Sequence, residues 1–126
     1  MKLFYAPGTC SIGIHVLMEE IGKPYEAVKL DMRAGDTQKP PFTDINPKGK
    51  VPTLQRDDGD VITEYPVIAQ YLAKSNPSAG LMPKDEKAEL TAASATDYCV
   101  GRSICRASAA CSVPPTLPPT RPIRMQ

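Results

Sequence analysis

The residue types with chemical potential are a thiol, Cys10, a proline-punctuated loop, Asn46-Pro47-Lys48-Gly49-Lys50-Val51-Pro52-Thr53-Leu54, and an acidic residue, Glu64, ahead of an apolar run. Cys10 and Ser11 fall in the first turn of a segment with helical periodicity, where unpaired N–H groups and the helix dipole favour a thiolate. Pro52 fits the first position of a strand, because it donates no backbone hydrogen bond and sets its own φ. A cis Val51-Pro52 bond would turn the Val51 N–H and C=O outward as a donor and acceptor pair for an extended, peptide-like ligand. The residues before this loop would then form one wall of a cleft, and Asp57-Asp58-Gly59-Asp60 with Thr63-Glu64-Tyr65-Pro66 the other.

The elements that must position these groups follow from local patterns. Leu3-Phe4-Tyr5 is a short run of β-favouring residues closed by Ala6-Pro7-Gly8, and predicts a first strand. Ile14, Leu17, Met18 and Ile21 recur at three- and four-residue spacing before Gly22 and Pro24, and predict an amphipathic helix. Tyr25 to Leu30 alternates as a strand, so the first thirty residues form a βαβ unit with parallel pairing. The polar stretch from Asp31 to Phe42 predicts a loop with at most one short helical turn. Val51 to Gln55 and Val61-Ile62-Thr63 flank an acidic Asp-Gly turn and form a hairpin. Val67, Ile68, Tyr71 and Leu72 repeat at helical spacing up to Ser75-Asn76-Pro77, with Pro66 at the helix start.

The chain has 126 residues, enough for one domain of ordinary core size or for one small domain and part of a second. Residues 1–78 read as an α/β layer and 79–90 as a linker and the start of a helix. Residues 91–126 read as an irregular tail: they hold one acidic residue, Asp97, four arginines and five prolines, with almost no large aliphatic side chains. A formal charge of +1 exerts no net pull on nucleic acid or an anionic membrane. No apolar run reaches the length of a membrane span, so the chain is expected to be cytoplasmic. Cys99, Cys105 and Cys111 cluster in the tail at a spacing that suits neither a disulfide framework nor zinc, and the aspartates near Gly59 read as a solvated turn; no metal is expected. His15, the only histidine, reads as structural.

The order β-α-β, loop, β-β-α is that of thioredoxin-like domains, in which a proline opening the third strand faces the first-helix cysteine. Three motifs extend the likeness: Met1 to Ser11, Asn46 to Pro52, and Thr63-Glu64 leading into Ile68-Ala69-Gln70-Tyr71-Leu72. In order and spacing, residues 1 to about 90 resemble the N-terminal, glutathione-binding domain of bacterial glutathione transferases, most closely the beta class. The resemblance implies that Cys10 lies beside the glutathione sulfur and can form a mixed disulfide with it. It also implies that Val51, between Lys50 and Pro52, pairs its backbone with the cysteinyl part, and that Glu64 and Tyr65 hold the γ-glutamyl end at a helix N-terminus. Ser11 is a candidate donor to the sulfur or an ordinary helix cap. The family carries serine or glycine where this chain has Tyr65. A lysine that binds the glycyl carboxylate in some members falls at Gly35, leaving Arg33 or Lys39 to substitute.

In the family, a second, all-helical domain begins near Leu90 and supplies a pocket for small hydrophobic electrophiles and much of a homodimer interface. The tail here has instead the composition expected of a shifted reading frame in a GC-rich gene. Two functional expectations follow: an enzyme that conjugates glutathione to an electrophile, or a glutathione-binding or thiol-exchange module without transferase turnover. In either case the thioredoxin-like layer is expected to expose apolar surface that a helical domain covers in the family.

Overall fold

The structure, a computed structural model, describes residues 1–104. The expected tail features beyond that point, including Cys105, Cys111 and the proline run, lie outside the described residues.

Strand β1 (Lys2–Tyr5) leads through Ala6–Cys10 into helix α1 (Ser11–Ile21), which ends at Gly22 in the left-handed region, its N–H donating to the carbonyls of Met18 and Glu19. Strand β2 (Glu26–Lys29) then runs parallel to β1, with Leu3 opposite Ala27 and Phe4 opposite Val28. The polar segment that follows holds two short helical pieces, a 3₁₀ turn (Asp36–Gln38) and helix α2 (Phe42–Ile45), where one at most is expected. Its second piece forms because Phe42 is drawn into an apolar cluster with Phe4 and Leu30, a long-range contact that local composition does not reveal. Strands β3 (Thr53–Gln55) and β4 (Val61–Thr63) form the expected antiparallel hairpin, and β3 also pairs antiparallel with β1. Pro52 immediately precedes β3 instead of opening its ladder, and the Val51-Pro52 bond is cis, as is Pro40-Pro41.

The sheet order is β2-β1-β3-β4, and helix α3 (Tyr65–Ser75) packs beside α1 on one face. Alternation along β1 divides its side chains between two clusters. Leu3 joins Leu54 of β3, Ile14 and Met18 of α1, and Ile68 and Leu72 of α3 in the main core, while Phe4 faces α2 on the other side. These are the layers of the thioredoxin-like fold.

Helix α4 (Glu86–Tyr98) begins where Asp85 accepts a hydrogen bond from the Ala88 N–H at 2.9 Å, and a π-helical stretch continues to Ile104. Residues 91–104 are therefore helical, against the expectation of an irregular tail. Ala88, Ala92, Ala93 and Ala95 are strong helix formers, and the cap satisfies the helix start, so an apolar stripe is not needed to define the helix. Lys74 and Glu89 bridge α3 and α4 at 2.8 Å. Exposed apolar side chains remain, including Ile12 and Val16 on α1 and Val67 on α3. Among the described residues no helix is long and apolar enough to cross a membrane.

On the other flank of α1, His15 lies between two tyrosine rings, 5.0 Å from Tyr5 and 5.8 Å from Tyr25 between centroids. The Tyr25 hydroxyl donates to Glu19 Oε1 at 2.5 Å. Burial, then the hydrogen bond to Glu19 and that carboxylate's charge, push Tyr25 from its ordinary value near 10 up to about 12. The folded chain therefore holds the proton where the unfolded chain has lost it. The stabilisation is fully present below pH 10 and disappears as pH rises through about 12. Difference titration of phenolate absorbance between the wild type and Tyr25→Phe should show one tyrosine ionising near pH 12. Ionisation of that group near pH 10 would contradict the assignment.

Candidate functional site

The cleft begins at the β1–α1 turn, which a small set of hydroxyl contacts closes. Thr9 Oγ1 donates to the Ala6 carbonyl at 2.8 Å, and Ser11 Oγ donates to the same carbonyl and accepts from the Ala6 N–H, both at 3.1 Å. The two hydroxyls are 2.7 Å apart, and Ser11 is fully buried. Its hydroxyl is thus engaged within the turn, and it holds the residues that present Cys10.

Cys10 occupies the N-cap of α1, half-buried, one position before the first helical residue. Across the cleft its Sγ donates to the Val51 carbonyl oxygen at 3.7 Å, so the thiol and the residue before the cis proline face each other. The loop holding Val51 is braced from within. Asn46 Nδ2 donates to the Lys50 carbonyl at 3.0 Å and to Thr53 Oγ1 at 2.8 Å, and Thr53 Oγ1 donates to the Lys50 carbonyl at 2.8 Å. Asn46 Oδ1 accepts from the Lys48 N–H, while Gln38 Nε2 reaches over to the Gly49 carbonyl. Asn46 and Thr53 are both buried, and their bracing role is not evident from residue type. The only signal for them was the Asn-Pro dipeptide that opens the loop. Lys50 contributes its carbonyl to this brace and exposes its side chain.

The third wall is the start of α3. Glu64 caps the helix with φ 71° and is the one residue other than glycine with positive φ among those described. Lys48 Nζ lies 2.9 Å from Glu64 Oε1 and donates to Thr63 Oγ1 at 3.0 Å. Pro66 carries no N–H, so the donors at this end of the helix come from its neighbours. The Tyr65 side chain does not line this end as a short hydroxyl would. Its ring turns against α1, where a Cβ added at Gly13 would sit 2.3 Å from the phenol oxygen. Burial, followed by the nearby Cys10 and Cys99 sulfurs, pushes the phenol pKa up, so Tyr65 stays protonated. The ring also borders an apolar cleft between α3 and α4 that includes Leu17, Ala69 and Met82.

Of the two substitutes for a carboxylate-binding lysine, Lys39 is 3.1 Å from Asp36 Oδ1 and donates to the Ala34 carbonyl. Hydrogen bonding from the Asp31 N–H, then from Lys39, holds the Asp36 carboxyl below the usual range. Arg33 borders a depression with Pro7 of the β1–α1 turn and Met32. Among the described residues no group of three or more histidine, cysteine or acidic side chains is placed to hold a metal ion.

A thioredoxin-like layer with a helix-capping cysteine opposite a cis proline defines a class of thiol-handling domains. Residues 8–75 match the family described as glutathione S-transferase, N-terminal domain, and the chain belongs to that family. It is 42% identical over 83 residues to glutathione S-transferase GstA of Escherichia coli O157:H7, covering 65% of this chain and 41% of that protein. It is also 30% identical over 88 residues to maleylacetoacetate isomerase of Pseudomonas aeruginosa, covering 68% of this chain and 42% of the relative. A glutathione transferase homologue from Sulfitobacter, solved with bound glutathione, superposes with a TM-score of 0.79 at 34% identity, over 84% of this chain and 51% of that one. A beta-class glutathione S-transferase from Sphingomonas chungbukensis gives 0.69 at 38% identity, over 78% and 50%. The chain thus spans about two-fifths of the length of these curated relatives and half of these solved chains.

Proposed function

We propose that this chain binds reduced glutathione in the cleft between Cys10, Val51 and Glu64, and forms the glutathione-binding half of a transferase that conjugates the tripeptide thiol to small hydrophobic electrophiles. The observation that carries this reading is the 3.7 Å approach of Cys10 Sγ to the Val51 carbonyl, beside an α3 helix start that bears Glu64. A cysteinyl backbone laid along Val51 brings its sulfur next to Cys10. The γ-glutamyl end then reaches α3, where Glu64 suits an ammonium and the helix N–H groups suit a carboxylate. Ser11 supports the turn, Lys50 and Pro52 hold Val51 in place, and Tyr65 contributes backbone only.

Conjugation breaks the S–H bond, the proton passing to solvent, and forms a bond between the glutathione sulfur and an electrophilic carbon. From that carbon a leaving group departs with its electron pair or, in an addition, a π pair is displaced and takes up a proton from solvent; the site's part is to orient the sulfur and favour its anion. Cys10 adds a second reaction. Its thiolate attacks oxidised glutathione, a new Cys10–glutathione disulfide forms, and one glutathione thiolate leaves. A cytoplasmic setting, in which thiols stay reduced, and a homodimer completed by a helical domain belong to the same reading.

Titration calorimetry of reduced glutathione into the 126-residue chain should show saturable binding at one site. Incubation with oxidised glutathione, followed by peptide mapping, should place one glutathionyl group on Cys10, and Cys10→Ser should lose that group while retaining reversible binding. Absence of heat from a folded chain would rule out the glutathione reading. Modification of Cys99 in preference to Cys10 would remove Cys10 from the chemistry.

A further inference from the structure

The Glu64 carboxylate already has a cation within reach. Lys48 Nζ lies 2.9 Å from Glu64 Oε1 and is steadied by Thr63 Oγ1 at 3.0 Å. Lys48 belongs to the same loop as Val51, and its own N–H is fixed by Asn46, so the lysine reaches from one wall of the cleft to the other. Both partners are more than half exposed, with side-chain accessibilities of 57% and 60%. Such a pair is weak and exchanges readily. Glu64 itself is held at φ 71° and ψ 125°, a positive-φ backbone conformation that the surrounding structure must enforce, as is common at ligand clamps.

We propose that Lys48 is an internal competitor for the ammonium subsite: its Nζ occupies Glu64 until the α-ammonium of a γ-glutamyl ligand displaces it. This rests on the glutathione reading and adds a specificity-determining residue to it. A primary ammonium at hydrogen-bond distance from a carboxylate presents the same charge and the same donors as the amino end of a γ-glutamyl group. Two such cations on one carboxylate repel each other, so the ligand must release Lys48 into water. A ligand lacking the α-ammonium cannot exchange with Lys48 and gains nothing from its removal.

The test is titration calorimetry with two probes, reduced glutathione and its N-glutaryl analogue without the amino group, against the wild type, Lys48→Met and Lys48→Gln. Lys48 is exposed and outside the core, and circular dichroism will confirm that both variants fold. Breaking an exposed pair of this kind should tighten glutathione binding about two- to fivefold in both variants. The analogue should bind wild type and variants equally. If glutathione binds the wild type but its affinity is unchanged or falls in the variants, the competitor role is overturned and the glutathione reading stands. Binding by the variants alone supports the competitor role in its strongest form. No binding by any of the three proteins overturns both.

Discussion

Leu54→Ala should lower the stability of the domain by about 2–5 kcal/mol, the range for truncating a large buried aliphatic side chain where neighbours cannot close the gap. Leu54 is fully buried at the centre of β3, paired in register with Leu3 of β1 and Ile62 of β4. It lies in one cluster with Ile14 and Met18 of α1 and with Ile68 and Leu72 of α3. The side chain therefore meets elements from both ends of the fold, and its loss leaves a void bounded by the sheet and two helices. Against a typical total of 5–15 kcal/mol, a loss of this size is a large share of what holds the layer together. Urea unfolding followed by circular dichroism measures it. Val61→Ala is the comparison, since Val61 lies on the edge strand and is 37% exposed; it should cost less than about 1 kcal/mol. Equal losses at the two positions would show that the core is not organised around β3.

Gly49→Ala should reduce glutathione affinity at least about tenfold and destabilise the fold as well, because steric strain at this position acts directly on the loop that carries Val51. Gly49 has φ 61°, where an L side chain is disfavoured by roughly 1–2 kcal/mol. An added Cβ would lie 2.6 Å from Gln38 Nε2 and 2.7 Å from the Thr37 carbonyl oxygen. Gln38 can swing aside. Thr37 is 2% exposed and its carbonyl belongs to the backbone, so the 46–53 loop has to move away from it. That movement pulls on the Asn46–Thr53 brace and shifts Val51 relative to Cys10. Gly59→Ala separates strain from contact: Gly59 also has positive φ, 91°, but no atom lies within 4 Å of its added Cβ. That variant should lose stability and keep its affinity for glutathione. If Gly49→Ala bound glutathione as tightly as Gly59→Ala, the loop's position would not govern the site.

Several elements were legible from local pattern. The recurrence of Ile14, Leu17, Met18 and Ile21 specifies α1, and Gly22 stops it, because helix periodicity and a left-handed terminus are properties of a few consecutive residues. The Asp-Gly hairpin and the Pro66 start of α3 are local in the same way. The motifs Met1 to Ser11, Asn46 to Pro52 and Thr63-Glu64 carried the family. Less legible were α2, which depends on Phe42 meeting Phe4 across the sheet, and α4, whose alanine-rich stretch has no apolar stripe for periodicity to detect.

Within the site, short stretches of chain specify which groups exist and in what order: a cysteine at a helix start, a proline-bounded loop and an acidic helix cap. Their working directions depend on contacts between residues far apart in the chain. Ser11 turns its hydroxyl inward because the Ala6 N–H and carbonyl must be satisfied in a buried turn. Tyr65 folds its ring over α1 because Gly13 leaves room for it. Lys48 meets Glu64 only once the loop and α3 are brought together by the sheet between them, with Thr53 of β3 opposite Thr63 of β4. Residue types and local periodicity are encoded in short stretches. The direction of a side chain is settled by which distant neighbour leaves space for it or needs its hydrogen bond.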